Sequence, residues 1–256
     1  MSVGVLGRML TLVGLTCGLL AVALPQVSGE SAHYVDDGTT AAFLLVLLAL
    51  SSWYPAEVGS PALAAGLGAA AFGFFLFLPA LLGFDYLGSL DAGAWLGLCT
   101  ALVPIGVIVA ATAEGRAEPG PRLIFDVRDP RTLIGLVGCG LVLGGIWLPM
   151  ANEGASFWNV SFSGHTLGLL MLLLALLNTV LLALPRLRLM RIVVAGATFG
   201  LVAAELILSA FEELGTLGSG AWLEACAGLL LVVATAWPAV GRAAYEAPAS
   251  LSQSAR

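Results

Sequence analysis

Four carboxylates in the second half of the chain, Glu205, Glu212, Glu213 and Glu224, fall in or beside strongly apolar stretches. Glu205, Ser209 and Glu212 are spaced by four and then three, which on a helix puts them on one face. At 1.5 Å rise per residue, Glu205 is expected ~10 Å below the outer end of its helix, with Glu224 nearly as deep in the next one. A carboxylate at that depth in hydrocarbon is costly and marks a place where an ion, a proton or a partner is handled. Three arrangements satisfy it: a neutral, hydrogen-bonded acid, a wet outward vestibule that draws a cation or proton, or a pair with a basic residue of another subunit. No arginine of this chain reaches it, because all ten are expected at the opposite membrane face.

Two other groups carry chemistry. Cys17, Cys99, Cys139 and Cys226 have no CxxC spacing, so neither zinc nor a redox motif is indicated. They serve as packing thiols, or as the disulfides Cys17–Cys99 and Cys139–Cys226 if the helices touch, since the bridge needs Cα atoms within ~7 Å. Packing is the preferred reading. Glu30, His33, Asp36 and Asp37 share one loop and are weak metal candidates. Their spacing is irregular and the corresponding later loop has Trp158 in place of His33, so a solvated acidic loop is preferred and no metal or cofactor is expected.

The segment Ser161-Phe162-Ser163-Gly164-His165-Thr166 resembles the Ser-Gly-His motif of the type 2 phosphatidic acid phosphatase family. That resemblance implies a histidine acting with a second histidine and basic phosphate-binding residues. No histidine follows His165 and no arginine lies on its side of the membrane, so an enzyme is not expected. Nor is there a nucleophile in a recognisable turn motif.

These residues must be positioned by helices in a membrane. The 256-residue chain is 59% hydrophobic and 10% charged, whereas a soluble domain carries roughly 25% charged residues. Its net charge of −6 excludes a nucleic-acid footprint. A crossing helix needs about 20 apolar residues. Eight segments qualify: about 9–25, 39–54, 61–82, 92–113, 132–150, 165–185, 192–211 and 220–240. Residues 1–25 mimic a signal peptide, but Leu12 to Pro25 is similar to the internal stretch Ile134 to Pro149, so a retained helix is expected.

With eight spans, every arginine sorts to one side and every loop on the other side carries acid. The positive-inside rule makes the arginine side cytoplasmic, with both termini inside a bacterial cytoplasmic membrane. Trp53, Trp95, Trp147, Trp158 and Trp222 lie near helix ends, as interfacial anchors do.

Gly93-Ala94-Trp95-Leu96 returns as Gly220-Ala221-Trp222-Leu223, and the 127-residue offset holds back to about residue 68. The fold expected is therefore an all-α integral membrane protein built as two tandem parallel four-helix repeats. Its parts are residues 1–113, a cytoplasmic linker 114–130, residues 131–242, and a tail 243–256. At the 127-residue offset Glu205, Glu212, Glu213 and Glu224 match Leu78, Asp85, Tyr86 and Gly97, so the acids belong to the second half. Glycine pairs spaced by four, Gly14/Gly18, Gly140/Gly144 and Gly196/Gly200, read as faces for packing within the chain.

The function expected is that of a non-enzymatic subunit or accessory factor of a larger membrane complex, with the lipid bilayer and other membrane subunits as partners. The alternative is a small-solute or ion transporter, its site between the repeats and Glu205 as the coupling acid. Against it stands the absence of unwound polar stretches beside Pro79 and Pro104.

Overall fold

The computed structural model describes residues 2–28, 33–53, 60–115, 130–149, 156–159, 165–182, 184, 187–210 and 218–236. The described residues are helical, joined by short turns, with no strand longer than an isolated bridge. Long apolar runs account for this, because a helix satisfies its own backbone polar groups where no water can. In order the helices are α1 (Val3–Ala23), α2 (Gly38–Ser51), α3 (Pro61–Leu82), α4 (Ala92–Leu98), α5 (Leu102–Ala113), α6 (Pro130–Gly145), α7 (Thr166–Leu182), α8 (Arg188–Ala210) and α9 (Ser219–Ala236). Four stretches are long and apolar enough to cross a membrane: α1, α3, α4 running on into α5, and Arg188–Leu208 of α8. The remaining apolar helices are shorter.

Polar residues set the ends. Ser2 Oγ accepts from Val5 N at 3.4 Å, and Asp37 accepts from the amides of Thr39 and Thr40 at 3.1 and 3.0 Å. Such caps satisfy amides that have no partner inside the first turn. Pro61 starts α3, where its missing N–H costs nothing. Gly83 stops it at φ 79°, a left-handed conformation that favours glycine.

Residues 92–113 are expected as one continuous helix, but the structure tightens it to a 3-10 turn over Cys99–Ala101. Pro104 is the physical reason: its ring crowds the carbonyl four residues back, that of Thr100, and it donates no bond there. The Thr100 hydroxyl turns to the Gly97 carbonyl at 2.6 Å.

Packing rests on backbone approach at small residues. In α1 against α5, Gly7 faces Gly106 and Ala110, Gly14 faces Val103, and Gly18 meets Thr100. One number rises as the other falls, so this pair is antiparallel. Arg8 closes its end with Nη2 2.8 Å and Nε 2.9 Å from Glu114 Oε1. In α6 against α9, Gly138 faces Ala227 and Leu231 while Gly145 faces Glu224, again antiparallel. Across the centre, α3 and α8 run parallel, since Gly196 faces Gly66 and Gly200, four residues on, faces Ala70; two glycines touch backbone there, Gly73 on the Ala197 carbonyl and Gly200 on the Ala70 carbonyl. Either glycine, given a side chain, would collide with the opposite backbone. Phe74, Phe75, Leu201 and Ala204 are buried around that crossing, and Asn178 of α7 donates to the Thr198 hydroxyl of α8 at 3.1 Å. Away from the core, apolar side chains such as Val13, Leu173 and Leu229 stand half or more exposed, as lipid-facing residues do.

One glycine pair departs from expectation. Gly14/Gly18 and Gly196/Gly200 pack within the chain, whereas Gly140 and Gly144 are exposed on α6 with nothing within 4 Å of an added Cβ. Spacing creates a small-residue face but does not choose what lies against it. On α6, the residues that meet α9 are Gly138 and Gly145, so Gly140 and Gly144 point away.

Candidate functional site

The second half concentrates its buried acid on α8 and α9. Glu205 is 6% exposed on α8, so it lines no open vestibule. Glu224 is fully buried in the second turn of α9, and both of its carboxyl oxygens lack a hydrogen-bond partner. Its carboxyl lies against α6: a Cβ on Gly145 would come 2.5 Å from Glu224 Oε1 and 2.9 Å from Cγ. Gly145 thus makes room for the acid, and it also ends α6. The carbonyl end of a helix is the end that favours cations and disfavours anions. Among the described residues this is the one carboxyl held wholly inside the protein with neither oxygen bonded.

The first half is built differently at the matching place. Gly97 packs its backbone beneath the Phe75 ring, 2.5 Å from an added Cβ. One offset of 127 later the two positions hold Glu224 and Val202, a larger residue on α9 and a smaller one on α8. Phe75 is held by Tyr34, whose ring meets Phe74 and Phe75 edge-on at 5.7 Å each.

Of the other expected site residues, Glu212, Glu213 and Glu30 lie outside the described residues, as does the side chain of Ser209. Whether Glu205, Ser209 and Glu212 act together is therefore not a feature of the described structure. The weak metal candidates are otherwise employed. Asp37 caps α2 and also accepts from the Thr40 hydroxyl, Asp36 Oδ2 accepts from His33 N at 3.3 Å, and His33 Nδ1 lies 3.1 Å from the Ala23 carbonyl. No group of three or more metal-ligating side chains forms among the described residues.

The four cysteines are free thiols in this structure. Their surroundings are unequal. Cys17 and Cys99 are neighbours across α1 and the 3-10 turn. Cys139 is buried against the Thr179 hydroxyl, while Cys226 is exposed. His165, the residue of the Ser-Gly-His resemblance, stacks on Trp158 with ring centroids 4.8 Å apart, and its Nδ1 lies 2.6 Å from the Trp158 carbonyl. Trp158 stacks in turn on Trp147 at 4.5 Å, so the histidine caps an aromatic pile.

Gly145 is the site residue that sequence reasoning missed. Only the antiparallel register of α6 and α9 brings it to Glu224, although the exchange of Gly97 and Phe75 for Glu224 and Val202 was a legible signal. Comparison with protein-family models, curated proteins and solved structures gives no match.

Proposed function

We propose that this chain is a duplicated, eight-span, non-enzymatic subunit or accessory factor of a larger membrane complex, docked through α6. The observation that carries the reading is the exposed pair Gly140 and Gly144 on an apolar helix. Glycine weakens a helix, and in lipid it is compensated by letting another helix approach closely. Every other four-spaced glycine pair named above is used in that way inside the chain.

The duplication draws support from matched contacts. Gly73 on Ala197 and Gly200 on Ala70 are one contact made twice about a pseudo-twofold axis, since both residue pairs are related by 127. Gly93 N donates to the Pro25 carbonyl at 2.9 Å, and Gly220 N to the Pro149 carbonyl at 2.7 Å. The first helix of each half packs antiparallel on the last, α1 on α5 and α6 on α9. The parallel α3–α8 pair fits two halves sharing one orientation, as an even number of spans per half demands. Reading the four shorter helices as spans as well puts every arginine on one side, in a bacterial cytoplasmic membrane with both termini inside.

The test is isolation from native membranes in mild detergent. The wild type should co-purify with a companion at fixed stoichiometry. Gly140→Leu with Gly144→Leu should release it while the released chain keeps its thermal transition. A companion retained by the double variant, or a wild-type chain isolated alone at 26.2 kDa, overturns the reading.

One observation favours the transport alternative: Glu224 is buried inside its own bundle, where no residue of another subunit can pair with it. On that reading Glu224, with Glu205 on the adjacent helix, carries a proton or small cation. Reconstituted protein alone would then move the solute, and Glu224→Gln or Glu205→Gln would abolish the movement.

A further inference from the structure

The C-terminal ends of α1 and α6 meet α4 and α9 through one kind of contact. Gly93 N donates to the Pro25 carbonyl at 2.9 Å, and Gly220 N to the Pro149 carbonyl at 2.7 Å. In the first half the buried side chain of Gln26 then closes the junction. Its amide nitrogen donates to the carbonyls of Ala21 at 2.6 Å and Leu24 at 2.8 Å, and a side chain at Gly93 would run into it. Counting back from each proline, the matching carbonyls of the second half belong to Gly145 and Leu148. The residue after Pro149 is Met150, whose thioether donates no hydrogen bond. What the second half supplies instead is Glu224, fully buried against Gly145 with neither oxygen bonded. Gly220, one turn before it on α9, lies against the Leu148 carbonyl. Helix side chains lean toward the turn before their own Cα, so the carboxyl is directed toward that carbonyl. The second half thus gathers oxygen acceptors where the first half holds a donor.

We propose that Glu224 and the carbonyl end of α6 bind one small monovalent metal cation, sodium, in the place that the Gln26 amide nitrogen takes in the first half. That nitrogen serves two carbonyls at once, whereas a protonated carboxyl has a single O–H to give. A cation draws on every oxygen around it. The carbonyl end of a helix favours positive charge, and in membrane proteins such ends coordinate sodium. One carboxylate cancels one charge. That selects a monovalent ion over calcium, which takes about six to eight oxygens with several carboxylates among them. The site stands on these contacts and not on transport, though it names the ion for the transport reading.

Thermal unfolding of the full chain in mild detergent, in sodium, potassium or choline chloride at equal ionic strength, tests the proposal. At about ten times its Kd, sodium should raise the wild-type Tm by about 3–6 °C over choline, an ion too large to enter. Potassium should raise it less. Glu224→Gln and Glu224→Met should both lose the sodium response. The methionine variant carries no unpaired polar group, so it keeps the test decisive if the glutamine variant does not fold. In choline it should unfold at or above the wild-type temperature, and sodium should narrow that gap by raising the wild type alone. A wild-type Tm equal in sodium and choline overturns the proposal, as does a sodium response that persists in the folded variants. A larger response to calcium overturns it as a divalent site, and an equal rise in sodium and potassium as a general salt effect. A sodium response without uptake of radioactive sodium into proteoliposomes supports this site and removes the transport reading, so the two fail separately.

Discussion

Replacing Glu224 with methionine should make the protein more stable. Its side chain is fully buried, neither oxygen is hydrogen-bonded, and the carbonyl end of α6 lies beside it. A buried polar group without a partner costs about 1–3 kcal/mol even when neutral, and more when charged. Methionine has similar length and needs no hydrogen bond, so Glu224→Met should recover at least about 1 kcal/mol. Spread over a chain of this size, that is a rise of roughly 2–4 °C in Tm per kcal/mol. Glu224→Gln keeps an unsatisfied polar group and should change stability little. Glu224→Ala removes the burden but leaves a cavity, which costs about 2–5 kcal/mol for truncating a large buried side chain. Tryptophan-monitored thermal unfolding in one detergent separates the three. The contact with Gly145 supplies a coupled control: Gly145→Ala forces its Cβ onto the Glu224 carboxyl, and should cost less in a Glu224→Ala background than in the wild type. If Glu224→Met loses 2 kcal/mol or more, the carboxyl is bonded in the working protein and the premise of an unpartnered acid fails. A stabilised Glu224→Met that has also lost transport or assembly would identify the acid as retained for function.

The glycines divide into two measurable classes. Gly73→Ala and Gly200→Ala should each destabilise by about 1–3 kcal/mol or more, because the new methyl meets a backbone carbonyl that cannot rotate away. Gly140→Ala, in open space, should instead stabilise the isolated chain by up to about 1 kcal/mol, and a matching loss there would contradict the exposure of that face. Mild oxidation should link Cys17 to Cys99 and leave Cys139 unreacted, read by peptide mapping, and a Cys139 crosslink within the monomer would mean the α6–α9 packing is wrong. Arg8→Gln should cost no more than about 1 kcal/mol, since the Arg8–Glu114 pair is about a quarter exposed and partly screened by water.

Helices were legible in the amino-acid order because hydropathy and caps act locally. Residues 61–82 were delimited from sequence as they are in the structure, where Pro61 opens the helix and Gly83 closes it. The Gly93/Gly220 echo was also legible, and its cause is physical: each glycine lies against a Leu-Pro turn, where a Cβ would come 2.5 Å from a carbonyl oxygen. The 3-10 turn at Cys99–Ala101 was missed, although Pro104 announced it, because apolar periodicity does not register a change from one helical hydrogen-bond pattern to another.

What lay beyond the order of residues was pairing between helices. Three glycine pairs with one spacing met three fates: one packs on α5, the turn before it and α2, one on α3, and one faces outward, since a face is a property of one helix and a contact is a property of two. The cysteines, all set in apolar helices or their turns, acquired different neighbours for the same reason. Counting residues placed Glu205 and Glu224 on apolar helices, yet their burial depends on which helix leans on them. Composition and local pattern thus determined that the described residues are helical and that four stretches are long and apolar enough to cross a membrane. The antiparallel register of α6 on α9 decided that Glu224 is enclosed and that Gly140 and Gly144 are exposed, and the crossing of α3 on α8 decided which glycines meet backbone. Those outcomes depend on the steric fit of distant segments, which only the assembled chain contains.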